Sequence, residues 1–579
     1  MQKQSLTGYP SIDKPWLKYY SEEAIHSPLP ACSAFEMVYN NNKTHLKDIA
    51  INYFNKKISY GELFNMIDET SRAFYKIGVR KNDSVVFCAV NMPEIIAALY
   101  GLNKLGAKAV LLDPRMNPEQ INEYINECQA KVVVSLDSLY DQMHKAVKNS
   151  TAKTIVLISP VNSLSPIRQF FYNTKHHPPR TVNQAIWWHD FIKNGRNCDY
   201  EICNYEKDRC FIISFTGGTT GVPKGVMLSD DCLNSVAHGY KYVGMPFKRQ
   251  DKFYNDLPLF IVYGLSLAIH SVLSHGLQLI LYPIFEPKNF PKLFKKYKPN
   301  HFSAGADHLR YLAESPLIKN MDLSFLCTAA MGGDTLNAKT EEEVNNFLKA
   351  HGCKYEVVKG YGMTELGATC CTTFQGANAY ESVGIPLVTN TIAIRDIDSG
   401  KELKYGQIGE IWVSSPSIML GYLNSPESTN QVILKDKDGI RWIRTGDMGY
   451  VDENGLLFHK GRIRRIYLTK FAGAPAKIFP VFVEQILKEL PEIYDCTVVA
   501  RYIKGTTYYE PVAYIIPCED CNIDKAALDS YCDKKLPTYM KPVETVFVDS
   551  FPHTPIGKVD YRTLEKQAEE LSNKAESLF

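Results

Sequence analysis

Residues 211–228 read FIISFTGGTTGVPKGVML. An apolar run leads into a loop of glycines and threonines, and a lysine follows that loop; the polar and glycine positions are Thr216, Gly217, Gly218, Thr219, Thr220, Gly221 and Lys224. Glycines let a backbone approach a polyphosphate closely, N–H groups and hydroxyls donate to its oxygens, and a lysine adds positive charge. The stretch therefore predicts a strand that ends in a phosphate-binding loop. Taken alone, the same residues would also fit a mobile loop that binds nothing.

The loop differs from the P-loop pattern GxxxxGK[ST]. Lys224 follows Pro223 and precedes Gly225, so the lysine stands outside that spacing. A different way of holding phosphate is therefore expected.

Towards the N-terminus, helical patterns alternate with short β-branched runs. The helical patterns cover residues 61–77, 92–105 and 119–128, and the strand patterns cover residues 84–89, 109–112 and 131–135. Strands that alternate with helices imply right-handed βαβ crossovers and mainly parallel sheets covered on both faces. We therefore predict an α/β fold for the main body of the chain.

A stretch of residues 257–285 contains no Asp, Glu, Lys or Arg and is long enough to cross a membrane. Prolines and glycines interrupt it, however, and they favour a loop, a buried helix from about Tyr263, a cap at Gly276 and a buried strand at residues 278–282. A membrane span is the less favoured interpretation.

Composition narrows the function further. The 579 residues carry 65 Lys and Arg against 63 Asp and Glu, a net charge of +2, which gives no electrostatic basis for nucleic-acid binding. The 15 cysteines do not show the spacing of a disulfide framework. Cys518 and Cys521 have the spacing of only half a zinc site. The N-terminal residues lack the apolar run of a signal peptide, so we expect a cytoplasmic protein.

Residues 160–197 are richer in proline, histidine, arginine and aromatic residues than their surroundings. A basic segment with interleaved aromatic residues could contact a membrane surface. A surface excursion particular to this chain is the simpler interpretation, because Pro178 and Pro179 break the pattern.

Residues 211–228 resemble the phosphate-binding signature of the adenylate-forming superfamily, which includes acyl-CoA synthetases, adenylation domains that load carrier proteins, and luciferases. The segment GYGMTE, residues 360–365, is similar to a second motif of that superfamily. The resemblance implies that Tyr361 and Gly362 line the nucleotide site, that Thr364 contacts the α-phosphate, and that Glu365 holds magnesium. When a substrate carboxylate attacks the anionic α-phosphate, the negative charge must be neutralised. A hydroxyl donor and a metal ion held by a protein carboxylate suit this task.

Other segments follow in the superfamily's order. Residues 442–462 resemble its ribose-binding strand, which implies that Asp447 accepts from the ribose hydroxyls and that Arg462 lies beside the sugar. Residues 331–336 resemble its segment beside the adenine and the acyl group, with Gly332, Gly333 and Asp334. Residues 536–564 resemble its C-terminal signature and place Lys558 at the catalytic lysine, where an ammonium can pair with the carboxylate and the α-phosphate.

The resemblance spans residues 30–565 and implies a definite architecture. A large multi-layer α/β domain with mainly parallel sheets, residues 1–462, would join a small mobile α+β domain, residues 463–579, through a hinge at residues 463–465. The implied substrates are ATP, a carboxylic acid and a thiol, with Mg²⁺ as the cofactor.

Two positions depart from the superfamily. Ile261 stands where a histidine is usual, which leaves Tyr263 or His270 as possible replacements. An amino-acid substrate would leave its ammonium unpaired against Ile261 at a cost of roughly several kcal/mol, so an apolar acid fits better. Arg465 stands at the usual hinge Asp, and the double-glycine turn that normally follows is missing.

The sequence therefore predicts an enzyme that converts an apolar, fatty-type carboxylic acid to acyl-AMP plus pyrophosphate and then to acyl-CoA. Transfer to the phosphopantetheine thiol of an acyl carrier protein is the alternative for the second step. A catalytically silent homologue that binds a nucleotide or a partner is disfavoured, because Glu365, Asp447 and Lys558 are all present.

Overall fold

The computed structural model describes the chain except for eleven short stretches; the described residues are 6–176, 185–216, 223–283, 286–332, 338–374, 376–471, 474–518, 521, 523–553 and 559–576. The chain divides into two compact units. The larger unit comprises Met1–Ile392, Trp412–Arg444 and Glu453–Leu457, and the smaller comprises Ala393–Ile411, Thr445–Asp452 and Phe458–Phe579.

One sheet of the larger unit is parallel at its centre and antiparallel at both edges. Its strand order is β16-β15-β14-β13-β12-β10-β11-β1-β2. The strands are β1 (Ile49–Tyr53), β2 (Lys56–Ser59), β10 (Lys252–Asn255), β11 (Gln278–Leu281), β12 (His301–Ala304), β13 (Thr328–Met331), β14 (Val358–Met363), β15 (Ala368–Thr372) and β16 (Ile385–Pro386).

A second sheet of the larger unit is parallel along most of its width and antiparallel at one edge only. Its strand order is β19-β9-β8-β4-β3-β5-β6-β7. The strands are β3 (Ser84–Cys88), β4 (Lys108–Leu111), β5 (Ala130–Leu136), β6 (Thr154–Ile158), β7 (Ala185–Trp187), β8 (Cys210–Thr216), β9 (Lys224–Ser229) and β19 (Gly421–Tyr422).

Helices cover these sheets because each connection between parallel strands must cross a face. The α-helices of the larger unit are α1 (Pro10–Asp13), α2 (Glu22–His26), α3 (Ala34–Asn42), α4 (Tyr60–Lys76), α5 (Pro93–Leu105), α6 (Pro118–Glu127), α7 (Tyr140–Val147), α8 (Pro166–His176), α9 (Trp188–Gly195), α10 (Asp230–Tyr242), α11 (Val272–Ser274), α12 (Phe290–Tyr297), α13 (Ala306–Glu314), α14 (Ala338–Ala350) and α15 (Pro426–Val432). The predicted α/β class is confirmed.

A further sheet has the order β17-β18-β21-β20, with β22 paired to β21. Its strands are β17 (Thr391–Arg395), β18 (Gly409–Ser414), β20 (Ile433–Lys435), β21 (Arg441–Val451) and β22 (Leu457–Arg462).

The C-terminal part of the smaller unit is α+β. Its elements are the hairpin β23 (Tyr467–Phe471) and β24 (Ala474–Ile478), the sheet β25 (Ile493–Tyr502), β26 (Tyr509–Pro517) and β27 (Glu544–Phe547), and the helices α16 (Pro480–Leu487), α17 (Lys525–Lys535) and α18 (Tyr561–Glu576). Its core joins Val483, Leu487, Val498 and Ile515. The domain boundary at residue 462 and the hinge stay predictions, and the two compact units interleave in sequence around that point.

The described part of the apolar stretch, residues 257–283, folds as the interrupted pattern predicted. A π-helix spans Tyr263–Ser271 and continues as α11, Gly276 follows at φ +72°, and β11 is buried between parallel neighbours. Among all residues that the structure describes, no helix has both the length and the apolar character needed to cross a bilayer.

Candidate functional site

The predicted phosphate loop connects the two strands of an antiparallel hairpin. β8 ends at Thr216 and β9 begins at Lys224, and these two residues are directly paired. The far end of the hairpin is fixed by a fully buried ion pair, in which Arg209 Nη2 lies 2.8 Å from Asp230 Oδ2. The hairpin therefore presents Thr216 and Lys224 side by side, on either side of the predicted loop.

The second motif begins in β14 and turns sharply after it. Thr364 and Glu365 lie in a 3-10 turn, residues Thr364–Leu366, and Glu365 is buried. Gly362 pairs with β15 so closely that a Cβ atom there would lie 1.6 Å from the carbonyl oxygen of Ala368. Glycine is therefore required at residue 362, and the close pairing aims the following turn.

A buried ion pair fixes β14 at Lys359, immediately before the motif. Lys359 Nζ lies 2.6 Å from Glu341 Oε1 and also donates to the carbonyl oxygen of Ala379 at 2.8 Å. Burial lowers the pKa of Lys359, while Glu341 acts in the opposite direction. Burial raises the pKa of Glu341, and Lys359 opposes that shift. The pair therefore compensates two charges that would each be costly alone.

Tyr422 joins the two motifs. Its hydroxyl donates to Glu365 Oε1 at 2.9 Å, and the Lys224 ammonium lies 5.0 Å from the centre of its ring. Tyr422 reaches this position because β19 pairs with β9, which sets Tyr422 opposite Val226. The structure thus brings the lysine after the loop and the predicted metal-binding carboxylate to the same tyrosine, although they lie 141 positions apart in sequence.

Gly332 lies at the end of β13, where the ring of Tyr263 comes close. A Cβ at Gly332 would meet Tyr263 Cζ at 2.9 Å, so glycine allows the ring to pack there. Burial raises the pKa of Tyr263 to about 12, which keeps its hydroxyl protonated. Ile261 is half-buried and lies two residues before the π-helix that begins at Tyr263.

His270 occupies a different place. It is fully buried, with Nδ1 3.1 Å from the Tyr100 hydroxyl and Nε2 3.0 Å from Asn234 Oδ1. Burial lowers its pKa to about 3, so the ring is neutral and belongs to the packed core. His270 therefore packs in the core, whereas Tyr263 lies beside Gly332, and a role for either in place of the usual histidine stays a prediction.

The predicted ribose-binding pair lies within the smaller unit. Arg462 Nε is 2.8 Å from Asp447 Oδ1, and His459 Nε2 is 3.7 Å from the same oxygen. Asp447 is buried while Arg462 is nearly half exposed, and the Asp447 N–H donates to Thr445 Oγ1 at 3.1 Å. Asp447 is therefore a fixed acceptor with an arginine beside it, and its assigned role stays a prediction.

Several predicted site residues lie outside the described residues; these are Gly217, Gly218, Thr219, Thr220, Gly221, Gly333, Asp334 and Lys558. Their roles stay predictions.

Sequence reasoning missed Tyr422 and His459. Tyr422 is remote in sequence from both side chains that it contacts, so only the strand pairing could reveal it.

The donor set fits a nucleotide with a divalent ion. Glu365 is a buried carboxylate whose Oε1 is oriented by a hydroxyl donor, and carboxylate oxygens are the ligands that Mg²⁺ prefers. The nearby ammonium of Lys224 suits a phosphate oxygen.

Two family models match the chain. The model described as AMP-binding enzyme matches residues 38–423, and the one described as AMP-binding enzyme C-terminal domain matches residues 483–558.

Curated relatives match nearly the whole chain. A long-chain-fatty-acid–CoA ligase of Bacillus subtilis is 28% identical over 580 residues, which is 96% of this chain and 98% of that protein. A probable 4-coumarate–CoA ligase 1 of Dictyostelium discoideum is 27% identical over 88% of this chain and 90% of that protein. Among solved structures, ATP-bound MatB from Rhodopseudomonas palustris superposes with a TM-score of 0.78 at 21% identity, over 93% of this chain and 99% of that one, which supports the fold.

Proposed function

This chain belongs to the AMP-binding enzyme family, and we propose that it is a fatty-type acid–CoA ligase that works through an acyl-adenylate. The observation that carries the proposal is the contact of Lys224 and Glu365 with the same tyrosine, Tyr422. This arrangement unites the cation expected at the polyphosphate with the carboxylate expected at the metal. That the chain is an AMP-forming acid–CoA ligase of the acyl-CoA synthetase type follows from its homologues.

In the first step, a substrate carboxylate oxygen attacks the α-phosphorus of ATP and pyrophosphate leaves. Thr216 and Lys224 bind the polyphosphate from the two ends of the loop, and Thr364 donates its hydroxyl to the α-phosphate. Mg²⁺ bound at Glu365 would neutralise charge on the phosphates. Tyr422 holds the Glu365 carboxylate in one orientation.

The remaining binding groups act on the sugar and on the acid. Asp447 accepts hydrogen bonds from the ribose hydroxyls, and Arg462 fixes the Asp447 carboxylate. Lys558 pairs with the substrate carboxylate and the α-phosphate while charge moves between them.

An apolar acid is favoured over an amino acid by two described side chains. Ile261 offers an ammonium group no partner, and the ring of Tyr263 covers Gly332. The relatives include ligases named for long-chain fatty acids and for 4-coumarate, so an aromatic acid is the alternative within the apolar class. The B. subtilis fatty-acid ligase matches more of this chain than the 4-coumarate ligase does, which supports the fatty-type acid.

In the second step, the thiol of coenzyme A attacks the acyl carbonyl carbon and AMP leaves. The matched relatives are named as CoA ligases, which supports CoA as the acceptor. The alternative acceptor is the phosphopantetheine thiol of an acyl carrier protein, and the unusual sequence after Arg462 is the feature that motivates it.

The test is acid-dependent exchange of labelled pyrophosphate into ATP. Fatty acids of several lengths, 4-coumarate, benzoate and amino acids are offered in turn, and CoA and a carrier protein then compete for the activated acid. We expect exchange with fatty acids and thioester formation on CoA. Absence of exchange with every acid would refute the proposal.

Two variants locate the chemistry. Glu365→Gln and Lys558→Ala should lose nearly all exchange, and Lys558→Ala should still bind ATP. Lys566→Ala is the matched control, since Lys566 is an exposed lysine on α18. Wild-type exchange in Lys558→Ala would remove Lys558 from the mechanism.

A further inference from the structure

Helix α8 exposes its apolar side to solvent. Ile167, Phe170 and Phe171 are 70%, 65% and 67% exposed, respectively. Residues three and four apart lie on the same face of a helix, so these three side chains form one continuous apolar surface. An ordinary surface helix turns such a face towards the core.

The opposite face of α8 fixes this orientation. Tyr172 donates its hydroxyl to Asp137 Oδ1 at 2.8 Å, and Gln169 Nε2 donates to the carbonyl oxygen of Leu164 at 2.9 Å. Tyr172 therefore points inwards to the buried Asp137, Gln169 ties α8 to the segment before it, and the apolar side chains point outwards. The helix is amphipathic in the reverse of the usual sense.

The charged side chains of α8 are basic. The sequence of residues 159–189 contains no Asp or Glu, and α8 itself carries Arg168 and Lys175. Arg168 and Lys175 are exposed on α8 itself, and the Arg168 guanidinium lies 5.5 Å from the centre of the Phe54 ring. The exposed apolar face thus carries positive charge along one side.

We propose that α8 docks the enzyme on a bilayer that contains anionic lipids. Ile167, Phe170 and Phe171 would enter the boundary between headgroups and acyl chains, while Arg168 and Lys175 would meet lipid phosphates. The 11-residue helix is about 16 Å long at 1.5 Å per residue, so it lies in the interface and does not span the bilayer.

Charge argues against a second copy of this chain as the occupant. A two-fold pair of α8 helices would bring Arg168 and Lys175 towards their own copies, and residues 159–189 offer no acid to separate them. An anionic bilayer neutralises the same charges. It also accepts apolar side chains without requiring a complementary shape.

Lipid binding does not depend on the proposed reaction, so it is measured on the full chain without substrates. The protein is sedimented with phosphatidylcholine vesicles and with vesicles in which about one-third of the lipid is phosphatidylglycerol. The variants are the pair Phe170→Ser with Phe171→Ser and the pair Arg168→Gln with Lys175→Gln. Ile202→Ser is the matched control, because Ile202 is 62% exposed and lies outside α8.

We expect binding to anionic vesicles that weakens as salt is added. The serine pair should lower the partition coefficient about 150-fold or more, because the apolar transfer of two phenylalanine side chains is lost. The glutamine pair should lower it about 25-fold, at about fivefold per charge. The control should bind as the wild type does.

Three results would overturn the proposal. They are equal binding by the serine pair and the wild type, equal binding to neutral and anionic vesicles, and a lipid-free dimer in sedimentation velocity that the serine pair converts to monomer. The last result would assign the surface to self-association.

Discussion

Tyr422→Phe removes one hydroxyl from the centre of the proposed site and leaves its ring. The lost interaction is a hydrogen bond of 2.9 Å to Oε1 of the buried Glu365. Hydrogen bonds to charged groups contribute about 1.5–3 kcal/mol, which corresponds to about 10- to 150-fold in rate if the interaction acts in the transition state. Because Tyr422 is half-buried, water can replace part of the interaction, and we expect a loss near the lower end of that range.

The assay is acid-dependent ATP–pyrophosphate exchange measured over a range of Mg²⁺ and ATP concentrations. A phenylalanine ring still lies beside the Lys224 ammonium, so the variant isolates the orientation of Glu365. We expect kcat/KM to fall about tenfold, with a higher Mg²⁺ requirement, because the carboxylate is no longer held in one orientation.

The matched control is Tyr205→Phe. The Tyr205 hydroxyl also donates to a carboxylate, Asp231 Oδ1, at 2.9 Å, but Asp231 belongs to none of the predicted site motifs. Its exchange activity should match that of the wild type. If Tyr422→Phe keeps kcat/KM within twofold at all Mg²⁺ concentrations while Glu365→Gln is inactive, then Tyr422 does not position the carboxylate.

Gly362→Ala should destabilise the protein by about 3 kcal/mol and abolish exchange, because its Cβ would lie 1.6 Å from a carbonyl oxygen. Gly360→Ala is the control, because a Cβ there would lie 3.5 Å from its nearest neighbour, and equal melting temperatures for the two variants would contradict the packing argument. Lys359→Met should lower the free energy of unfolding by about 3–5 kcal/mol through the unpaired Glu341 carboxylate, and the added change Glu341→Leu should restore part of it in denaturant titrations. Burial lowers the pKa of His270 to about 3, so its contribution to stability is complete above pH 6.5 and decreases as the pH falls towards 3. Between pH 7.5 and pH 5.5, the free energy of unfolding of His270→Gln should therefore decrease by about 1.4 kcal/mol less than that of the wild type. Equal decreases in denaturant titrations would refute a buried neutral ring.

The sequence predicted the elements of the larger unit well where one pattern dominates a segment. The helical period over residues 61–77 became α4 at Tyr60–Lys76, and the apolar run after Gly276 became β11. Local sequence patterns determine such elements, because the spacing of apolar residues reflects whether one face or both faces of the helix or strand are buried. Strand order depends on contacts between distant segments, so the antiparallel edge at β15 and β16 could not be read from the same patterns.

The candidate site shows the same difference between what local patterns predict and what contacts between distant segments determine. The residues at motif positions were predicted from the sequence, and the structure brings Lys224 and Glu365 to a common neighbour. That neighbour, Tyr422, carries no local signal, because its position depends on the pairing of β19 with β9. His270 was a candidate on sequence alone because the sequence does not reveal that Tyr100 and Asn234 enclose it.

Arg465 illustrates how a substitution at a motif position is explained by a distant partner. Its guanidinium contacts Glu484, donates to the carbonyl oxygen of Val498 at 2.9 Å, and lies 4.2 Å from the centre of the Tyr561 ring. Glu484 in turn accepts from the Val498 N–H at 2.7 Å. A carboxylate at residue 465 would face Glu484 as a like charge in a buried setting, so an acid there is incompatible with this network. The arginine at the predicted hinge thus follows from an acid on α16, which no pattern around residue 465 could reveal.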